Sequence, residues 1–140
     1  MKYRILSHTA DLRLEVFGKN IGELFINAAI AIGDILLGKS QIAKHKLQDK
    51  RCGLLESLKL EALNQNALLV DFLNAILAKS EINLAIYKVG QIKVDGNTLT
   101  AKIQGCRVDS FKEDIKAVTY HGVEIKKQGE VWTTQLVLDI

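Results

Sequence analysis

The sequence predicts an α+β fold, built as a single compact domain over residues 1–140 with two main helices and a mostly antiparallel or mixed sheet. The length of 140 residues suits one domain with a real hydrophobic core. Two stretches repeat apolar residues at the helical period, whereas most of the remaining chain alternates apolar and polar residues as strands do. Hydrophobic residues at 48% and charged residues at 25% exclude a disordered or collagen-like chain.

The first strand with a clear pattern is followed by the first helix. Residues 10–17 alternate between apolar and charged side chains, which predicts a half-buried strand. Asn20, with Glu23 three residues later, forms a capping-box pattern, and Gly38 stands where a helix C-terminal glycine belongs. Asn27 and Asp34 are expected on the solvent face with Glu23. The predicted buried face comprises Leu24, Phe25, Ala28, Ala29, Ile32, Ile35 and Leu36.

A further strand and the second helix come next. Residues 57–62 alternate and predict the strand, and Asn64 or Asn66 can cap the helix that follows. The apolar stripe of this helix is predicted to hold Leu69, Phe72, Leu73, Ile76 and Leu77.

Two pairs of strands complete the chain. Residues 86–94 and 98–106 flank Asp95-Gly96, a strong hairpin signal. Residues 117–126 and 131–140 are predicted as a final pair joined through Gln128-Gly129. Helices placed between early strands, followed by a strand-rich second half, indicate α+β rather than repeated βαβ units.

The positive charge of the chain is concentrated in one segment. Residues 39–52 carry a net charge of +4, so that the other residues sum to −1 within the overall +3. Such a segment is either a solvated connector or an electrostatic contact for RNA or for an acidic protein surface. Because aromatic residues do not interleave with these charges, base stacking is not indicated.

A nucleotide-binding string overlaps the end of the first helix. Residues 33–40 read GDILLGKS and match the phosphate-binding loop pattern, and residues 67–71 read ALLVD, like the strand that ends in a magnesium-binding aspartate. That loop needs a strand before it and a helix that opens at its lysine. Here Asp34, Ile35 and Leu36 continue the preceding helix on the correct faces. We therefore predict that GDILLGKS binds no nucleotide.

The remaining composition points to a cytoplasmic protein without a membrane segment. Charged residues interrupt every apolar run before about 20 residues, the length of a membrane helix, and the N-terminus lacks a signal-peptide pattern. Cys52 and Cys106 make no disulfide framework and have no zinc-like spacing with the histidines. Both are expected to be buried or inert thiols in a reducing compartment.

Carboxylates gather at the end of the sequence. Residues 135–140 read as a strand, which would hold the Asp139 carboxylate and the α-carboxylate of Ile140 in regular structure. If Asp11 lies nearby, three carboxyl groups converge, and such oxygen ligands favour Ca²⁺ or Mg²⁺ over zinc. From the residues alone, Asp139 as an ordinary solvent-facing strand residue remains an alternative.

Five blocks along the chain resemble the archease family. They are SHTADLRLEVFGK, ELFINAA, LLVDFLN, IKAVTYHGVEI and the terminal LDI, and their order and spacing cover nearly the whole chain. The resemblance implies a non-enzymatic accessory protein for the GTP-dependent RNA ligase that joins 2′,3′-cyclic- or 3′-phosphate ends to 5′-hydroxyl ends in tRNA splicing and RNA repair. The accessory protein promotes guanylylation of the ligase histidine and thereby multiple turnover, and RNA contact is indirect, through the ligase.

The resemblance also implies a divalent-cation site on Asp11, Asp139 and the α-carboxylate of Ile140. Ca²⁺ is the first choice of ion, with Mg²⁺ or Mn²⁺ as alternatives. Arg13 stands where a small or apolar residue is expected and Ser7 where an acidic residue is common, and both changes would weaken cation binding.

Four further residues complete the candidate site: His8, Lys116, Tyr120 and His121, which would shape the acidic tip or contact the ligase. Tyr120 and His121 are alternatively ordinary strand residues. The alternative function is a general RNA-binding or chaperone-like module that acts through the basic segment 39–52. No catalytic residue is assigned within the chain.

Overall fold

The computed structural model describes residues 1–8, 10–38 and 51–140. Its helices are α1 (Ile21–Leu37) and α2 (Gln65–Asn83). Its strands are β1 (Tyr3–His8), β2 (Leu12–Gly18), β3 (Leu54–Glu61), β4 (Ala85–Asp95), β5 (Thr98–Arg107), β6 (Ala117–Val118), β7 (Lys126–Gln128) and β8 (Val131–Asp139). The predicted α+β class with two main helices is confirmed, and the strands form two antiparallel sheets.

Sheet A has the strand order β1-β2-β8-β6, with β7 also paired to β8. The predicted alternation of the second strand is confirmed, because β2 turns its apolar residues inward and leaves Arg13 exposed. Leu12 pairs with Leu138 and Leu14 with Leu136, and all four side chains are buried. Both helices lie against the inward faces of the sheets, since α1 contacts β2 and β4, and α2 contacts β4 and β6.

Helix α1 begins and ends where its sequence predicts. The Asn20 side chain accepts a hydrogen bond of 2.8 Å from the Glu23 amide, and Gly38 follows the helix with a φ of 72°. The expectation that Asn27 faces solvent is wrong: this side chain is buried and donates to the Phe17 carbonyl over 2.7 Å. A buried amide is tolerated here because the hydrogen bond ties α1 to β2.

The helix continues through the string that resembles a phosphate-binding loop. Residues 33–37 belong to α1, as predicted, and Lys39 and Ser40 lie outside the described residues. Residues 67–71 belong to α2 rather than to a strand. The chain therefore lacks the strand–loop–helix geometry in which backbone amides of residues 33–37 could face phosphates.

Helix α2 is capped by Asn64, whose side chain accepts from the Ala67 amide over 2.8 Å. Each residue of its predicted apolar stripe is buried. Near its C-terminal end, Lys79 donates to Glu56 of β3 over 2.6 Å, and the Tyr87 hydroxyl donates to the other Glu56 oxygen over 2.7 Å. These hydrogen bonds, with Lys79 first, lower the pKa of Glu56 and allow a carboxylate on the helix-facing side of β3.

Sheet B has the order β3-β5-β4, and the predicted hairpin joins β4 to β5. Its turn lies one position later than predicted, at Gly96-Asn97, because Asp95 already pairs with Thr98. Gly96 has a φ of 59°, the left-handed conformation that favours glycine in such turns. The final predicted pair is only partly correct. Residues 117–126 do not form one strand, because the chain leaves β6 after Val118 and turns at His121 and Gly122 before β7 begins.

Cys52 and Cys106 form a disulfide, so the expectation of free thiols is wrong. Cys52 precedes β3, and because Leu54 pairs with Gly105 of β5, the two sulfur atoms meet although 54 positions separate them in sequence. Spacing in the sequence does not reveal a pairing that depends on strand register. The presence of two cysteines is therefore not evidence that the protein resides in a reducing compartment.

We expect reduction of this disulfide to lower the free energy of unfolding by about 2–4 kcal/mol, since the bond restricts the unfolded chain. Urea denaturation with and without dithiothreitol measures the difference. A Cys52→Ala/Cys106→Ala variant is the control and should not respond to the reductant. An unchanged unfolding midpoint for the reduced native chain would contradict the expectation.

Within the described parts of the chain, neither helix has the length and apolar character needed to cross a lipid bilayer.

Candidate functional site

The predicted metal ligands lie at one end of sheet A. Asp11 immediately precedes β2, and Asp139 is the last residue of β8. Because Leu12 pairs with Leu138, the two aspartates are at the same end of neighbouring strands. Residues directly opposite each other in such a pair have Cβ atoms about 5 Å apart. We call Asp11, Asp139 and the α-carboxylate of Ile140 the carboxylate end.

The last residues of β8 are held on the side away from β2. Ala117 of β6 pairs with Asp139, and the Lys116 amide donates to the Asp139 carbonyl over 2.7 Å. The Ile140 side chain is half-buried against the hydrophobic core. Backbone pairing of Asp139 and burial of the Ile140 side chain thus hold both residues that carry the predicted carboxylates. Lys116 therefore adjoins the carboxylate end through its main chain.

Arg13 changes the electrostatics of this end. Its Nε lies 3.4 Å from Oδ1 of Asp11, and both side chains are partly exposed. Exposed ion pairs of this kind contribute about 0–1 kcal/mol to stability, so a divalent cation that binds Asp11 can displace the Arg13 side chain. A cation that binds Asp11 must compete with this pair.

The donor set fits a hard divalent cation in its chemistry, since it consists of carboxylate oxygens. Asp139 is exposed and Asp11 half-buried, so a cation could approach both from solvent. Among the residues with described side chains, no three His, Cys, Asp or Glu residues cluster as a metal site would require. The predicted set contains two such side chains and depends on the α-carboxylate for its third group.

The other candidate residues divide into two groups. His8 ends β1 opposite Leu12 and therefore belongs to the same end of sheet A as Lys116. Tyr120 and His121 follow β6 in the chain, in the segment that leads away from the Ala117–Asp139 pair. The alternative interpretation of both as ordinary strand residues is wrong, because they lie in the irregular segment after β6.

Tyr120 is held by helix α2. Its hydroxyl donates to the Asp71 carboxylate, while 60% of the residue remains exposed. The hydrogen bond to this anion raises the pKa of the Tyr120 phenol above its ordinary value.

Asn74 is a positioning residue that the sequence analysis did not single out. Its amide group donates to the Val118 carbonyl over 2.9 Å and accepts from the Val118 amide over 2.8 Å. This pair of bonds fastens β6, which in turn supports Asp139. Asp71 and Asn74 are three residues apart on one face of α2, within the block LLVDFLN, and that spacing was the available signal.

Comparisons with known proteins agree with this architecture. The sequence model of the Archease protein family matches residues 3–140. Protein archease of Methanosarcina barkeri is 30% identical over 148 aligned residues, which cover 99% of this chain and 96% of that protein. Protein archease of Archaeoglobus fulgidus is 30% identical over 145 aligned residues that cover all of both chains.

Two solved structures share the fold. The solution structure of protein 1598 from Methanobacterium thermoautotrophicum has a TM-score of 0.79 and 22% identity, covering 99% of this chain and 98% of its own. The crystal structure of an archease, described as a possible chaperone, from Thermotoga maritima has a TM-score of 0.62 and 23% identity, covering 96% and 94%.

Proposed function

Because the chain belongs to the archease family, we propose that it is a non-catalytic activator of the GTP-dependent 3′-phosphate RNA ligase of tRNA splicing and RNA repair. In this proposal it promotes guanylylation of the ligase histidine and so allows repeated turnover in the cytoplasm. The observation that supports the proposal is the position of Asp11 and Asp139, each one residue beyond the Leu12–Leu138 pair and therefore at the same end of sheet A, where neighbouring strands hold the end of β8.

The proposed contact with the ligase is the carboxylate end. Asp11, Asp139 and the α-carboxylate of Ile140 would hold a divalent cation, with Ca²⁺ preferred and Mg²⁺ or Mn²⁺ as alternatives. Such a cation, when bound, would neutralise the repulsion between these carboxylates and could accept further oxygen ligands from a partner.

The protein residues provide the geometry of this contact. Pairing of β8 with β2 and β6 fixes the position of Asp139 along the strand direction. The two hydrogen bonds between Asn74 and Val118 keep β6 in place. His8 and Lys116 border the carboxylate end, where they would contact the ligase. Tyr120 and His121, which are exposed further along the same side of β8, would widen that contact.

A ligation assay with limiting cognate ligase and GTP tests the proposal. We expect the wild-type protein to support many turnovers, and Asp139→Ala to reduce product to roughly one equivalent of ligase, as without activator. Asp95→Ala removes an exposed carboxylate from the distant β4–β5 hairpin and is the matched control. Full turnover with Asp139→Ala, or equal loss with Asp95→Ala, would overturn the assignment.

The same assay separates the alternative function, an RNA-binding or chaperone-like module that acts through residues 39–52. Of that segment, only Arg51 and Cys52 lie within the described residues, and Arg51 pairs with Asp109 over 2.7 Å. Neutralising Lys44, Lys46, Lys50 and Arg51 should abolish activity if the alternative holds, whereas Asp139→Ala should then have no effect.

A further inference from the structure

The outward face of sheet B carries a group of lysines. Strand pairing aligns Lys59 of β3 and Lys93 of β4 on either side of Thr100 of β5. In the next row, Ser57 and Gln91 flank Lys102 in the same way. The row beyond aligns Lys88 with Gln104. We call this surface the lysine face, and its members are Ser57, Lys59, Lys88, Gln91, Lys93, Thr100, Lys102 and Gln104.

A bulge at Gly90 keeps the lysines of β4 on one side. The pairing of β4 with β5 shifts between Val89 and Gln91, so one extra residue is accommodated. Without that residue, Lys88 and Lys93 would point to opposite faces, because they are an odd number of positions apart. The bulge therefore adds Lys88, the fourth lysine, to the surface that already holds Lys59, Lys93 and Lys102.

The lysine face is exposed and keeps a net positive charge, because its four lysines outnumber the two carboxylates of the neighbouring row, Glu61 and Asp95 on either side of Thr98. All four lysines are exposed, and none forms an ion pair within 4.0 Å among the residues that the structure describes. A groove of about 440 Å³ runs over the centre of the face, lined by Lys59, Lys93 and Lys102. Hydroxyl and amide groups between the lysines offer further hydrogen bonds to an anionic ligand.

We propose that the lysine face binds the sugar–phosphate backbone of single-stranded RNA directly, beyond the indirect contact through a ligase. Lys59 and Lys93 lie two strand spacings apart, about 10 Å, on either side of Thr100, and Lys102 lies between them in the next row. Together they form a short positive track of the kind that follows a nucleic-acid strand. The choice of RNA as the occupant rests on the proposed function.

The composition of the face favours a phosphate backbone over a protein surface. Protein interfaces are depleted in lysine and centre on large apolar or aromatic anchors. The eight residues of the lysine face include no such anchor, and the one large apolar side chain exposed in its rows is Leu55, opposite Gln104 in the row of Lys88. The absence of an aromatic residue on the face predicts binding without base stacking and therefore without sequence preference.

Fluorescence anisotropy with a labelled single-stranded RNA of mixed sequence, in the absence of ligase, measures this binding. Each lost phosphate contact should reduce the slope of log affinity against log salt by about 0.7. The Lys59→Gln/Lys93→Gln/Lys102→Gln variant should therefore lower the slope by roughly 2 and weaken binding at low salt by at least about 10-fold. The corresponding triple Lys→Arg variant, which keeps the charge, should bind like wild type.

The control removes the same charge elsewhere. Lys2→Gln/Lys19→Gln/Lys112→Gln alters three exposed lysines outside sheet B and should leave the slope and affinity nearly unchanged. No RNA binding by the wild-type protein, or equal losses in the two Gln variants, would overturn the proposal. In the first case an acidic protein surface becomes the remaining type of partner.

This experiment is independent of the ligation assay. Loss of RNA binding in the Gln variant of the lysine face would support the proposal even if Asp139→Ala left turnover unchanged. Conversely, the Gln variant of the lysine face could bind RNA like wild type while activation still depends on Asp139. That result would contradict RNA binding by the lysine face and leave the proposed activator function standing.

Discussion

Extending the chain by a Gly-Ser dipeptide after Ile140 is expected to abolish ligase activation while the protein stays folded. The extension converts the α-carboxylate of Ile140 into an amide, which is neutral and is a weaker ligand for a hard cation. The backbone pairing of Asp139 with Ala117 and the burial of the Ile140 side chain can remain as they are. The measurement is the number of ligation turnovers with limiting ligase, accompanied by circular dichroism and the thermal unfolding midpoint.

The same dipeptide placed before Met1, which is 88% exposed, is the matched control and should leave activation unchanged. An extended protein that still supports full turnover would show that the α-carboxylate is not a ligand. If activation fell only because the extended protein had unfolded, the midpoint would fall with it, and that result would also count against the expectation.

Phe72→Ala is expected to produce the largest loss of stability, about 3–5 kcal/mol. Phe72 of α2 and Phe25 of α1 are both 0% exposed, and their ring centroids are 5.8 Å apart. Truncation removes this aromatic contact and leaves a cavity between the helices that the surrounding side chains can fill only in part. Chemical denaturation gives the change in the free energy of unfolding.

Leu63→Ala provides the comparison, since Leu63 is 89% exposed and its truncation should change stability by less than about 0.5 kcal/mol. A loss below about 1 kcal/mol for Phe72→Ala would mean that the helix interface repacks freely. Helix α2 also carries Asn74, the clamp on β6. This clamp remains in place as long as the variant is folded, so we expect activation by Phe72→Ala to decline only as the protein unfolds.

Much of the secondary structure follows from local patterns. Asn20 and Asn64 cap the two helices because their short side chains satisfy amides within the next turn, and these interactions involve neighbours in sequence. Asp95-Gly96 is predicted as a hairpin for the same local reason. Asn27 was misplaced because its partner, the Phe17 carbonyl, belongs to another element, which a helical pattern cannot indicate.

From the residues alone, the candidate site depends on the condition that Asp11 lies near Asp139, and only the family resemblance joins the two in one predicted site. Alternation places Asp139 on the polar face of a strand but does not say which strand lies next to it. The contact of Arg13 with Asp11 is local, two residues apart, and could be anticipated. In contrast, the bond from Tyr120 to Asp71 and the clamp of Asn74 on Val118 join residues 49 and 44 positions apart.

The sequence by itself determined the helices, their caps, the inward faces of the strands and the family, because each of these depends on neighbouring residues or on the order of motifs. The tertiary structure decided which strands pair. That pairing joins Cys52 to Cys106, places Asp11 and Asp139 at the same end of neighbouring strands, and aligns lysines from three strands on one face. The physical reason is strand register, which is set by burial of the whole core, so distant residues meet in ways that no local pattern specifies.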